Sequence, residues 1–585
     1  MKKGLKRAST LLIAGLLAAA SITGCSAPGG TSSTADTPSA ADTASGNSGG
    51  TAEEEKGDPF MKFDEPVEIH IGQVAQPTMS FPEGDTNEDN VYTRYLLENF
   101  NIKVVVDWSA ASGNDYNQKV SLCIASNTLP DGMSCGRKDF LAAAKSDMLY
   151  DFTDLFPKYA SPQVLAIMES GDNAAYEYSN YEGRQLCMVG VDVAASGRSV
   201  VNVRQDWLDE LGLEPPKTLD DIEEIAIAFR DEKPGGEGTI PIAGPDKNGA
   251  ICYTNFLSAG VADCGFEPVF AAYDAYPGYW VEDENGKVEY GTLSDGSRKA
   301  FERLADWYAQ GLIDPEMGVR DESDEAINSG KTGMYFCAWW KMGYGITDAY
   351  RNDPTANWQA YTVYTDDGQW NTREQCPVAS YVICNKNISE DVAKAAIIMN
   401  NVWIRDENKL TTDYGQNTSI YWYPLRNSMG MLDECEVTYD TLYKVLNGEA
   451  TAEDYNDPDS AMKLLYNDCV SLETGIKDYE VGSNMLSIEN FNIEDPNFPR
   501  LYSILAGDRP CAIDTPDKSV YSVCYSQTET MESKWANLET AENEMGLRII
   551  TGKDDISAFD EFVERWYAEG GTEITAEVQA MADAD

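Results

Sequence analysis

His70 is the only histidine in the 585 residues, and this removes most acid–base chemistry at once. No di-histidine metal pair can form. A Ser-His-Asp arrangement would have to use His70, and no G-x-S-x-G turn is present to offer its nucleophile. The 13 cysteines include no C-x-x-C pair of the kind that holds zinc or a redox centre. Cys123, inside Val120-Ser121-Leu122-Cys123-Ile124, reads as a small buried thiol. An oxidising exterior would permit disulfides, but spacing alone does not pair these cysteines. Carboxylates are abundant, 98 Asp and Glu against 44 Lys and Arg, a formal net charge of −54. Glycoside hydrolysis needs two carboxylates about 5 to 10 Å apart. Among so many a pair can always be proposed, and no local motif singles one out. Neutralising phosphates needs basic stripes, and none exists beyond the first seven residues, so nucleic acid is not an expected partner. Catalytic residues, bound metals and cofactors are therefore not expected.

One cysteine has a different chemistry. Lys2, Lys3, Lys6 and Arg7 precede a short apolar run, Leu11 to Ala20, which leads into Ser21-Ile22-Thr23-Gly24-Cys25. The run is too short to span a bilayer. The pentapeptide resembles a bacterial lipobox, in which cleavage before the cysteine exposes a thiol that receives a diacylglyceryl group. Cys25 is thus the expected lipidation site and residues 1–24 the signal. Residues 25–59 are rich in Ser, Thr, Ala, Gly, Pro and Asp. Such a stretch buries too little apolar surface to offset its chain entropy and reads as a tether. The expected location is the extracellular face of the cell membrane, with contact through the anchor only.

The residues beyond 60 are enough for a large core divided into lobes. Strand-like and helix-like segments alternate, which indicates an α/β fold. Residues 69–74 and 102–106 read as strands, with helices over 91–99 and 117–125 and Trp108 just past the second strand. Thr218 is placed to cap a helix carrying Asp220 and Asp221 in its first turn, with Ile222, Ile225 and Phe229 on one face. Phe301, Leu304 and Tyr308 mark another helix that stops at Gly311. Asn285-Gly286 and Asp367-Gly368 each read as a hairpin turn. Tyr279-Trp280, beside the first, reads as surface packing.

Val203-Arg204-Gln205-Asp206-Trp207-Leu208-Asp209-Glu210-Leu211-Gly212-Leu213-Glu214-Pro215-Pro216-Lys217-Thr218 resembles a signature of extracellular solute-binding proteins of ABC importers. The resemblance is to the family 1 type, and within it to the large Gram-positive lipoproteins related to LplA and LipO. Maltose-binding protein is a more distant likeness. Ala125-Ser126-Asn127-Thr128-Leu129-Pro130-Asp131, Gly311-Leu312-Ile313-Asp314-Pro315-Glu316, Ile549-Ile550-Thr551-Gly552 and Phe559-Asp560-Glu561-Phe562-Val563 match further family segments in order. The resemblance implies a two-lobed, type II periplasmic-binding-protein-like fold with a hinge and an interlobe cleft. It places lobe 1 at about 60–192 plus 377–425, and lobe 2 at about 193–376 plus 426–585. Many relatives carry a calcium loop after the Thr218-type helix. Residues 231–241 here lack its alternating Asp and Asn ligands, so calcium is not expected.

Sugars present apolar C–H faces and hydroxyl edges, so their sites combine aromatic platforms with a few polar groups. The chain has 12 Trp and 32 Tyr. In the family a strand ends in a Trp-bearing loop at the cleft, which points to Trp339 and Trp340. Tyr421-Trp422-Tyr423 and Trp108 are the next concentrations. Asp192, Ser196 and Arg198 fall where the first crossing between lobes should pass the cleft. Arg204 and Trp207 belong to the signature and read as structural, with Arg204 beside a carboxylate. The expected function is capture of a di- or oligosaccharide by a monomer for delivery to ABC permease subunits. A surface glycoside hydrolase and a receptor for a non-sugar solute such as a peptide are the alternatives.

Overall fold

The alternation in Val67-Glu68-Ile69-His70-Ile71 sends Ile69 and Ile71 into the core and leaves Glu68 exposed, as one face of a pleated strand requires. The computed structural model describes residues 56–75, 81–111, 114–193, 197–247, 250–251, 262–344, 346–410, 422–427, 429–525 and 527–583. Cys25, the tether up to residue 55, Ser196 and Tyr421 lie outside the described residues. The end of the expected tether instead docks on the fold, the Gly57 amide donating to Lys158 O and Pro59 O accepting from Asn401 Nδ2. The fold is α/β, built on two mixed sheets.

The first sheet runs in the order Ile102–Ala111, Val67–Ala75, Gly132–Cys135, Val378–Cys384, Cys187–Val191. Its first three strands are parallel, and Val378–Cys384 is antiparallel to both of its neighbours. The helices Val91–Phe100, Pro162–Ser179 and Glu390–Lys409 contribute to the core around it. Asn90 starts the first of these by accepting hydrogen bonds from the Tyr92 and Thr93 amides. Trp108 lies inside a strand rather than beyond one, because pairing with Val67–Ala75 continues across a register shift at Ile71/Gly72. The shift is an irregularity midway along the strand, and it re-aims the side chains that follow.

The second sheet runs Trp358–Tyr361, Ser199–Arg204, Thr332–Ala338, Ile240–Ile242. All seven residues of Thr332–Ala338 are buried. Met334 and Phe336 enter one core cluster, Tyr335 and Cys337 the other, so helices cover both faces. The expected helices form as Leu219–Glu232, capped by Thr218 with Asp221 answering in a capping box, and as Asp295–Ala309. In the latter Trp307, not Tyr308, completes the buried stripe. Arg204 is buried, bonded to Asp206 and Asp353 and stacked over Trp207.

Two turn readings come out differently. Asn285-Gly286 joins a true antiparallel pair, Trp280–Glu282 with Val288–Tyr290. Trp280 beside it is fully buried against Tyr290, Trp535 and Trp566, so it is core and not surface packing. Asp367-Gly368 makes its turn, Gly368 lying at φ +83°. The flanks form no hairpin, however: Trp358–Tyr361 pairs with Ser199–Arg204, and Asn371–Arg373 runs parallel to Lys518–Val520. Turn chemistry is local, whereas strand partners are chosen by burial across the whole chain.

His70, on the Val67–Ala75 strand beside Val105 of Ile102–Ala111, has Nδ1 2.7 Å from Asp107 Oδ1 and Nε2 3.2 Å from Glu68 Oε1. The Asp107 hydrogen bond raises its pKa above the ordinary 6.5, against a smaller effect of burial. The folded state therefore favours the imidazolium. That stabilisation is complete below about pH 6.5 and fades as pH rises through the higher folded value. Because the chain has one histidine, its ring-proton NMR titration is read without assignment. The midpoint is expected above that of the urea-unfolded chain, and an equal or lower midpoint would refute the two contacts.

Candidate functional site

Parallel strands present their carboxyl ends, with side chains converging from neighbouring loops, as the usual place for a ligand in an α/β sheet. At this edge of the first sheet stand Gln73 and Trp108, with Trp422 brought in from 349 residues away by a bond from Gln73 Nε2 to its carbonyl oxygen, 3.1 Å. Phe81 stacks on Trp422 with ring centroids 4.2 Å apart. The Trp108 ring lies across Gly72, where a Cβ would come within 2.2 Å of it, and packs on Tyr116 at 5.5 Å. Lys119 Nζ is 5.7 Å from the Trp108 ring centroid.

Three buried polar atoms here have no hydrogen-bond partner: Gln73 Oε1, Trp108 Nε1 and Trp422 Nε1. An unsatisfied buried donor or acceptor costs about 1–3 kcal/mol, so three close to one sheet edge call for an explanation. One acceptor and two donors beside aromatic faces match the hydroxyl edge and C–H face of a polar ring. Tyr423 turns the other way, into the first core. Its hydroxyl donates to Met399 O at 2.8 Å, and its ring packs on Trp403 and Tyr92.

In the second half, Trp339 and Trp340 follow directly on Thr332–Ala338. Trp339 is buried with its Nε1 unpartnered, and Trp340 is half-buried. The turn is held from behind by the π-helical stretch Ser503–Gly507. Ser503 Oγ donates to Trp340 O at 2.9 Å and accepts from the Gly343 amide at 3.0 Å. Gly507 approaches so closely that a Cβ would lie 2.3 Å from Trp339 O, and one on Gly343 would lie 1.8 Å from Pro499 O. Glycine is required at both contacts. A π-helical turn backing a functional loop is a frequent association. Sequence reading could not find Gln73, Phe81 or Ser503, since each depends on a contact across the fold.

Asp192 and Arg198 lie where the chain leaves the first sheet for the second. Asp192 is half-buried, its carboxylate accepts from the Val193 amide at 3.0 Å, and burial raises its pKa. Arg198 donates through Nε to Glu374 Oε1 and through Nη1 to Glu436 Oε1, both at 3.0 Å. The two halves also touch through Lys138 Nζ and Glu532 Oε1 at 2.5 Å. In the stretch that replaces the calcium loop, Lys331 Nζ donates to Glu237 O and Lys233 pairs with Glu237. Two shallow hollows of about 380 and 410 Å³ lie elsewhere, beside Asp147 and Lys386 and beside Asp314 and Lys331. Neither is lined by an aromatic residue, so neither rivals the sheet-edge site.

A family model described as bacterial extracellular solute-binding protein matches residues 84–365. The lipoprotein LipO of Bacillus subtilis is 21% identical over 520 residues, covering 87% of this chain and 91% of LipO. Over residues 84–365, just under half of its length, the chain is similar to the bacterial extracellular solute-binding proteins. It is also 27% identical over 271 residues to FusA of Streptococcus pneumoniae, the fructooligosaccharide ABC transporter substrate-binding protein, with 43% of this chain covered and 47% of FusA. The chain thus spans about half the length of FusA in that match. Among solved structures, a solute-binding protein of Bifidobacterium longum infantis, described as HMO-binding and ABC-transporter-associated, has the same fold. Its TM-score is 0.55 at 14% identity, over 89% of this chain and 99% of the other. Among the described residues, no helix is long and apolar enough to cross a membrane.

Proposed function

We propose that this chain is a lipid-anchored extracellular solute-binding protein that captures an oligosaccharide for the permease subunits of an ABC importer. The supporting observation is chemical: aromatic faces and unsatisfied polar atoms meet at Gln73, Phe81 and Trp422, another stands at Trp108 on the neighbouring strand, and further tryptophans stand at Trp339-Trp340 on the second half. A pyranose or furanose ring offers hydroxyls to the first set and C–H surface to the rings. FusA is a fructooligosaccharide receptor by its name and LipO a lipoprotein, and both agree with this reading. Anchoring is assigned to Cys25. Capture is assigned to closure of two lobes, about 60–192 plus 377–425 and about 193–376 plus 426–585, over the ligand.

The test is a thermal-shift screen of the protein against fructo-, gluco-, galacto- and uronic oligosaccharides and short peptides. A ligand at 100 times its Kd stabilises the folded state by about 2.7 kcal/mol. The expected result is a saturable shift with one oligosaccharide class, which is then recovered uncleaved. A shift with peptides alone would refute the sugar assignment, and cleavage of the ligand would refute the receptor role.

A further inference from the structure

The Gln73 side chain is held in one orientation by the chemistry of its partner. A carbonyl oxygen only accepts, so the Trp422 oxygen, 3.1 Å away, faces the amide nitrogen of Gln73 and not its amide oxygen. Gln73 Oε1 is therefore directed away from that bond. It is an acceptor without a partner, on a side chain that is 5% exposed. The indole of Trp422, also 5% exposed, carries an unpartnered Nε1, a group that only donates. Phe81 lies against that indole with ring centroids 4.2 Å apart. An oriented acceptor, a donor and aromatic surface thus meet on two residues that are hydrogen-bonded to each other. Gln73 stands in the last third of the parallel strand Val67–Ala75, at the end where α/β sheets receive ligands.

This set discriminates by charge. A hydroxyl gives a proton to an amide oxygen and takes one from an indole N–H with equal ease. A carboxylate does only the second. It has no proton for Gln73 Oε1, and its charge would be desolvated against the negative end of the amide dipole. Two cations of this half are engaged elsewhere. Lys119 Nζ is 5.7 Å from the centroid of the Trp108 ring. Trp108 pairs with Gly72, and consecutive residues of a strand face opposite sides of a sheet, so Lys119 and Gln73 are on different faces. Arg426 stacks on Trp403 at 5.1 Å. The net charge of −54 adds a long-range repulsion of any polyanion.

We infer that Gln73 is a specificity-determining residue, accepting a hydrogen bond from a hydroxyl of a neutral sugar ring and rejecting a uronate at this position. The assignment rests on the oligosaccharide reading above and narrows it to one charge class. The full chain is titrated calorimetrically with 1-kestose, maltotriose, cellotriose, galactotriose, trigalacturonate and triguluronate. One neutral trisaccharide is expected to bind at least 100-fold more tightly than either uronide. Gln73→Met removes the acceptor at similar volume and is expected to weaken that neutral sugar by about 100-fold, the effect of a hydroxyl left unpaired on burial. Gln73→Glu gives the readout that packing alone would not move. A protonated carboxyl has the donor and the acceptor of the amide, whereas a carboxylate has no donor for Trp422 O, and burial favours the protonated form at mildly acidic pH. Its affinity is expected to approach that of the parent at pH 5 and to fall by about 100-fold at pH 7.5, over a range in which the parent changes little. Tighter binding of a uronide would overturn the assignment and spare the oligosaccharide reading, whereas binding of none of these sugars would overturn both. Equal affinity of the parent and Gln73→Met for the neutral sugar, or a Gln73→Glu affinity independent of pH, would place Gln73 in packing and overturn the assignment.

Discussion

Trp340→Ala is expected to weaken oligosaccharide binding by about 30-fold or more, the effect of losing roughly 2 kcal/mol at a central aromatic contact. Trp340 is the half-buried member of the pair after Thr332–Ala338, whereas Trp339 is buried in the core. Its carbonyl, not its ring, is held by Ser503. Truncating the indole therefore removes contact surface and leaves the turn's hydrogen bonds in place. Isothermal titration with the sugar found in the screen supplies the affinity, and the unfolding midpoint of the free protein supplies the control. An unchanged Kd would take Trp340 out of the site. Loss of affinity with an equally large loss of stability would assign it to packing.

Glu267→Gln is expected to stabilise the protein by about 3 kcal/mol at pH 8 and to change little at pH 4.5. Glu267 is 4% exposed, and burial raises its pKa to about 7. The Arg373 charge opposes this and the Glu374 charge adds to it. Between the unfolded value near 4.5 and the folded value, the native state keeps a proton that the unfolded chain has lost. Stability therefore falls as pH rises across that window and is constant beyond it. Glutamine keeps the shape of the neutral acid and abolishes the loss. Urea unfolding at the two pH values measures it. Equal effects at both would show that Glu267 holds its charge in the fold, through Arg373.

How far the sequence reaches is visible at particular residues. Ile69 and Ile71, the Thr218 cap and the Asn285-Gly286 turn are governed by neighbours within four or five positions, and each forms as the local pattern requires. Trp280 and Asp367-Gly368 depended on segments far along the chain, and there the local reading failed. The site divides in the same way. Aromatic composition and the order of the family segments pointed to Trp108, Trp339, Trp340 and Trp422. Gln73, 349 residues from Trp422, carried no signal of its own, since a buried amide oxygen becomes conspicuous only when its surroundings fail to satisfy it.

Arg198 shows the boundary most clearly. Its position in a crossing was expected from the family resemblance. Its partners were not: Glu374 and Glu436 lie 176 and 238 residues away, among 98 carboxylates of identical chemistry. The sequence by itself determined the α/β class and the Thr218 helix cap, and carried the family resemblance. The tertiary structure alone decided which carboxylates meet Arg198 and which polar atoms remain unsatisfied. Hydrophobic periodicity and capping act over one or two turns of chain, whereas ion pairing and burial are settled by whichever distant segments the packed core brings within 3 Å.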